Sequence, residues 1–267
     1  MTTFISLDEA VSLIADKSVL AFGGMTLYRR PMAFVRRLLV KNPRPQQLTL
    51  ISFTMGLECD LLVGAGCVDA VRTCYFGLSE FGLAPMFTEF AQAGKIRVIE
   101  ETEASLVWGI KAQVADVPFM PSTAWVNTDL PRLRPDVKQI SDPYTGEMLT
   151  AFPPISIDVA VIHALEADGV GNIKINQNLG IDLELVYCAK TVIITAEKMV
   201  EKCEKSVDGV IIPSAGIDYI ALVPNGAYPT SCYPYYPLDG LAIMDYVEMC
   251  NTGNFVGYLD QFLASGG

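Results

Sequence analysis

The chain has 267 residues, 51% of them apolar, and a formal net charge of −11. That length holds one large α/β domain or two small ones with a sizeable core, and the apolar share excludes a disordered chain. The acidic balance argues against a nucleic-acid partner, and no apolar run approaches the roughly 18 residues that a membrane span needs.

Taken from the N-terminus, residues 1–6 show no basic stretch followed by an apolar core, so no secretory signal is visible and a cytoplasmic location is expected. Ser6 with Glu9 reads as a capping box opening a helix whose inner face is Ala10, Leu13 and Ile14. An apolar strand, Val19 to Phe22, runs straight into Gly23-Gly24. Pro31 then opens a helix with Phe34, Val35, Leu38 and Leu39 as its apolar stripe, which the Pro43 and Pro45 region stops; Arg36 and Arg37 fall off the stripe and read as surface charge. Buried strands are expected over 48–53, 70–75 and 96–99, with helices over 56–63, 87–93 and from Glu103. Such alternation means βαβ units and an open, mostly parallel sheet flanked by helices. The stretch 121–155, rich in Pro, Thr and Asp, reads as a loop and hairpin excursion carrying a small antiparallel appendage. Alternation returns at 157–162, 192–195 and 219–223, no boundary divides the chain, and residues 1–267 are read as one domain.

Few residues carry chemistry by themselves. The strand, glycine pair, short loop and helix around Gly23 and Gly24 make a place where backbone N–H groups can face a ligand; a tight turn is the plain alternative. Arg29 and Arg30 in that loop suit a carboxylate or phosphate, or simply balance an acidic chain. Glu103 shares a helix face with Leu106, Val107, Ile110 and Val114, so it is expected on the buried side, with Glu101 off it. A carboxylate beside apolar surface suits a general base, whereas an acid in a first helical turn also simply complements the helix dipole. His163 ends an apolar strand and reads as a hydrogen-bonded core residue. Asp168 to Asn172 reads as a turn, and the aromatic, proline-rich run 228–237 as a pocket or subunit-interface lining. Seven scattered cysteines without a C-x-x-C pair, and a single histidine, read as buried reduced thiols with no metal site.

Four ordered stretches carry a family resemblance: Val19 to Pro31, Val117 to Pro121, Ile157 to His163 with Gly171-Asn172, and Val223 to Cys232. Together they resemble the family I coenzyme A transferases, in the branch of the glutaconate CoA-transferase α subunit, and cover nearly the whole chain. The resemblance implies the CoA-transferase fold, coenzyme A as substrate and product with no bound cofactor, and a β-subunit partner in a heterodimer or α2β2 assembly. It also implies that Gly23, Gly24, Met25, Thr26, Arg29 and Arg30 bind the acyl or CoA substrate, the glycine loop aiming donors at a thioester oxygen that becomes negative. Met25 departs from the phenylalanine usual in the family, and Arg29 stands where a more typical member has glycine. The nucleophilic glutamate of true transferases belongs to a β-subunit motif that is absent here. At the position of Glu103 the glutaconate branch has a non-acidic residue, while the related steroid-ring-opening CoA hydrolases have a catalytic glutamate. The run Arg30 to Arg36 is closer to those hydrolases, and Asn225 to Tyr233 closer to the transferase. The expected activity is CoA transfer between an acyl-CoA, its acyl group dicarboxylic, and a carboxylic acid. The alternatives are hydrolysis or C–C cleavage through Glu103, decarboxylation of a dicarboxyl-CoA, and a ligand-sensing domain on the same sheet architecture, against which the acidic balance argues.

Overall fold

The alternating strands and helices assemble into one twisted sheet with a small satellite, described for residues 2–264 in a computed structural model. In chain order the elements are β1 (Thr3–Phe4), α1 (Leu7–Ser12), β2 (Val19–Phe22), α2 (Met32–Val40), β3 (Leu48–Ile51), α3 (Leu57–Gly64), β4 (Val68–Thr73), α4 (Pro85–Gln92), β5 (Arg97–Glu100) and α5 (Glu103–Val114). The excursion holds β6 (Met120–Ser122), α6 (Leu130–Leu133), β7 (Lys138–Ser141) and β8 (Met148–Phe152). There follow β9 (Ile157–Asp168), β10 (Ile173–Asn176), α7 (Asp182–Cys188), β11 (Ala189–Val200), β12 (Gly209–Ile212), β13 (Tyr219–Leu222), α8 (Gly240–Asn251) and α9 (Phe255–Ala264).

Eight strands run parallel in the order β1-β13-β11-β9-β2-β3-β4-β5, and β10 pairs antiparallel with the far end of β9 and with β12. A parallel sheet is covered on both faces, so its strands are apolar on both. The period of two then sorts their side chains into two cores. Leu20, Phe22, Val159 and Val161 face the layer of α1 to α4, α8 and α9, while Ala21, Ala160 and Ile162 face α5 and α7. Leu20 and Phe22 are fully buried, each contributing roughly 1.5–3 kcal/mol relative to exposure. The excursion forms the expected antiparallel sheet, β6-β8-β7, over its own small core of Trp125, Val137 and Phe152.

Several details differ from the sequence reading. The Ser6–Glu9 capping box is present, but α1 stops at Ser12, so Leu13 is exposed and Val11 joins Ala10 inside. Pro31 is the cap of α2 and Met32 its first residue. Arg37 is exposed as expected, whereas Arg36 is half-buried. β9 continues through His163 to Asp168, because β11 pairs along its whole length. Asp168 to Asn172 is a turn, tied by the Asp168 carboxylate to the N–H groups of Val170 and Asn172. Among the described residues no helix is long and apolar enough to cross a membrane.

Candidate active site

The loop after β2 is built by close approach. Gly24 has φ +80°, and a Cβ there would lie 2.6 Å from the carbonyl oxygens of Tyr28 and Arg29; at Gly23 it would lie 2.4 Å from Asp182 Oδ1. Glycine is therefore required at both positions. The backbone amides are all engaged within the chain. Gly23 N donates to Val161 O, Gly24 N to Asp182 Oδ1 (2.9 Å), Met25 N to Tyr28 O and Thr26 N to Thr54 Oγ1 (2.8 Å). The donors that the glycine pair led us to expect facing a ligand are thus used to fold the loop. Met25 and Thr26 are half-buried.

Arg29 and Arg30 turn inward and are fully buried. The Arg29 guanidinium pairs with Asp182 (3.0 Å) and donates to His163 O (2.7 Å), Asn178 O (3.1 Å) and Asn176 Oδ1 (3.2 Å). Arg30 pairs with Glu58 of α3 and donates to Ser52 Oγ (3.1 Å), while its Nε and Nη1 and the Glu58 Oε2 have no partner among the described residues. A desolvated guanidinium needs its counterion inside, and both arginines have one, so in this chain they clamp the loop and present no surface to a ligand.

Next to β2 and its loop in the sheet come the ends of β3, β4 and β5. The Cys74 thiol donates to Phe53 O (2.8 Å) and is pushed up to about 11, by burial first and then by the charge of nearby Glu103. Here the two glutamates are exchanged relative to the sequence reading. Glu101 is 4% exposed and holds Arg72 (2.9 Å) and Arg134 (2.6 Å), whereas Glu103 is exposed. The strand period continued from Ile99 puts Glu101 on the inner face, a signal that helix periodicity alone obscured. Glu103 opens α5, whose buried face is Ser105, Leu106, Gly109, Ile110 and Ala112; Glu103 itself belongs to the first turn, at the sheet edge. Thr102 caps that turn and accepts from Trp125 Nε1 (2.9 Å), so the excursion braces the start of the helix.

A buried hub ties down the segment after β13. Glu197 of β11 accepts from Asn225 N (2.6 Å), Gly226 N (3.1 Å) and the Tyr236 hydroxyl, and lies 2.8 Å from His163 Nε2. His163 Nδ1 is 2.8 Å from Thr195 Oγ1, and burial holds this imidazole below its usual pKa. His163 is thus a core residue as expected, though its acidic partner was not legible. Its ring, Glu197 and Cys232 are the buried set whose ligand atoms come within 4.8 Å of one another, a donor set that suits zinc, although both Glu197 oxygens are already hydrogen-bonded. The hub anchors the aromatic run, whose Ser231 O accepts from Arg29 N (2.6 Å) and Thr230 Oγ1 from Arg30 N (3.2 Å). The glycine loop is therefore held from β11 as well as from α7. All seven cysteines are free, five of them buried.

Comparison with known proteins agrees with this architecture. The coenzyme A transferase family model matches residues 4–222. The α subunit of glutaconate CoA-transferase from Acidaminococcus fermentans is 27% identical over 94% of this chain and 84% of its own length. The crystal structure of that enzyme superposes with a TM-score of 0.87 at 25% identity, covering 97% of this chain and 88% of the other. The cholesterol ring-cleaving hydrolase IpdA subunit of Rhodococcus jostii is 30% identical over 93% of this chain and 87% of its own length. A variant of the decarboxylase AibA/AibB superposes with a TM-score of 0.90 at 30% identity over 98% of both chains.

Proposed function

The chain belongs to the coenzyme A transferase family, and from that premise we propose that it is the α subunit of a two-subunit enzyme that moves CoA between a dicarboxylic acyl-CoA and a free carboxylic acid. The observation that carries this reading is the distribution of carboxylates around the glycine loop. Asp182, Glu58, Glu101 and Glu197 are all tied to arginines or to buried donors, while Glu103 is exposed without an ion pair among the described residues. A site so built has its buried acids spent on structure, and a partner subunit supplies the nucleophile. In transfer, a partner glutamate attacks the thioester carbonyl and expels the CoA thiolate, leaving a mixed anhydride. The thiolate then attacks the enzyme carbonyl of the anhydride, releasing the first acid and forming an enzyme–CoA thioester that the acceptor acid reverses. In this reading Met25 and Thr26 contact the acyl substrate, and Glu103, beside Cys74 at the end of β4, is the acid left free to approach it. Glutaconate, named for one relative, supports a dicarboxylic acyl group.

A second reading is favoured by the exposure of Glu103 together with the likeness to a ring-cleaving hydrolase and a decarboxylase. Glu103 then acts as general base on water or substrate, and no anhydride forms. Co-expression with the adjacent reading frame, followed by acyl-CoA and borohydride, separates the two readings. Transfer gives CoA exchange that needs both chains and a free acid, with a reduced glutamate on the partner in the mass spectrum. Turnover without an acceptor acid and without a reduced glutamate replaces the first reading by the second. Full exchange by this chain alone refutes the requirement for a partner.

A further inference from the structure

In the helical layer lies a cavity of about 800 Å³ between α1, α2, α9 and the segment after β13. Leu7, Val40, Val223 and Leu263 give it apolar walls, and Arg36 with Asn225 makes it polar. The Arg36 guanidinium lies 4.4 Å over the Phe262 ring, and its Nε is buried without a partner among the described residues. Stacking uses the face of a guanidinium and leaves its N–H edge for an anion. Arg29, Arg30, Arg72 and Arg134 each face a carboxylate, and half-buried Arg44 donates to Leu39 O; Arg36 faces no carboxylate among the described residues. Acids are not scarce in a chain with 30 of them against 19 Lys and Arg. Asp239, joined to the neighbouring Tyr228, is held by that hydroxyl (2.5 Å) and by Ala242 N (3.1 Å), and Asp8 by Arg37 on the rim. Desolvation holds the Arg36 pKa below its ordinary value, as befits a half-buried cation without a counterion.

We propose that this cavity binds a small anion carried on an apolar stem, a carboxylate or a phosphate monoester, with Arg36 as its anchor. A half-buried guanidinium that faces no carboxylate among the described residues keeps its charge for a ligand, and an anionic headgroup supplies the missing counterion. The volume falls within the roughly 300–1,000 Å³ of small-molecule sites and exceeds what a bare ion needs, so the apolar walls take the stem. The inference does not depend on the reaction assigned above, because binding is read without turnover.

Calorimetric titration of the full chain with octanoate, octyl phosphate and octan-1-ol tests it, and whichever anion binds names the headgroup. At least one anion is expected to bind about tenfold or more tighter than the alcohol, the scale of one charge-assisted contact, and Arg36→Gln to abolish that margin while leaving the affinity for octan-1-ol unchanged. Val40→Glu, at a position 46% exposed, is a second variant; it supplies an internal carboxylate beside Arg36 and is expected to block the same titration. Anions that bind no tighter than octan-1-ol, or a margin that survives both variants, overturn the proposal.

Discussion

Asp182→Asn removes one charge at the centre of the clamp. Asp182 is fully buried; it pairs with Arg29 at 3.0 Å and accepts from the N–H groups of Gly24 (2.9 Å) and Gly180 (3.1 Å). An asparagine keeps the volume but supplies a single oxygen, so one of the three donors faces an amide NH2. Removing one partner of a buried pair costs about 3–5 kcal/mol, and an orphaned buried N–H about 1–3 kcal/mol, terms that do not simply add. Arg29 keeps three neutral acceptors, at His163 O, Asn178 O and Asn176 Oδ1, which places the expected loss near the lower end, about 3 kcal/mol. Against a typical total of about 5–15 kcal/mol this is large, and it corresponds to roughly 6–12 °C in Tm. Urea unfolding followed by the fluorescence of Trp108 and Trp125 gives the midpoint at constant m. Replacing the pair together, Arg29→Met with Asp182→Leu, is expected to recover part of the loss, since no uncompensated charge then remains. An Asp182→Asn chain within about 1 kcal/mol of wild type would refute the account of the clamp.

Glu103→Gln is expected to leave Tm unchanged and, if Glu103 is the base, to lower kcat by about 10²–10⁴-fold; an effect near tenfold marks a lining residue beside a partner nucleophile. Gly56→Ala puts a Cβ 2.0 Å from Thr26 O, so the loop must move; stability is expected to fall by about 1–3 kcal/mol and KM for the acyl substrate to rise, whereas an alanine at Gly66, with nothing within 4 Å, strains only its own φ of +74° and should leave KM unchanged. Asp60 is fully buried, and desolvation pushes its carboxyl up to about 6 despite hydrogen bonds from Tyr246 Oη and the N–H groups of Met86 and Phe87. The folded chain therefore keeps this proton between 3.8, the ordinary value, and about 6, where the unfolded chain releases it. That stability is full below about pH 4 and lost as pH rises to about 6, worth roughly 3 kcal/mol. Unfolding free energies of wild type and Asp60→Asn should accordingly shift in the variant's favour across this range, and parallel curves would show that Asp60 does not titrate there.

The parts of the site that were legible are those written in neighbouring residues. Strand and helix periods, the glycine pair and the prolines marked β2, the loop and α2, and the Pro- and Asp-rich stretch marked the excursion, because each follows from backbone preferences over a few residues. The clamp was not legible, since Gly24 meets Asp182 from 158 positions away and His163 meets Glu197 across 34. The C-terminal helices α8 and α9 were also unassigned; they complete the core with Ile243, Tyr246, Tyr258 and Phe262, and that burial exists only when the rest of the sheet is in place.

Local steric and hydrophobic patterning is enough to specify an α/β chain with a glycine loop at a strand end, and to order the motifs that resemble those of the coenzyme A transferases. Which charges are spent was settled by contacts between distant elements. Folding turned Arg29 and Arg30 into internal clamps, took every amide of residues 23–26 into the fold, buried Glu101 under two arginines and left Glu103 at the surface. A charge is available for chemistry when no counterion has been buried against it, and the partner in each case comes from another strand or helix that the local pattern does not name.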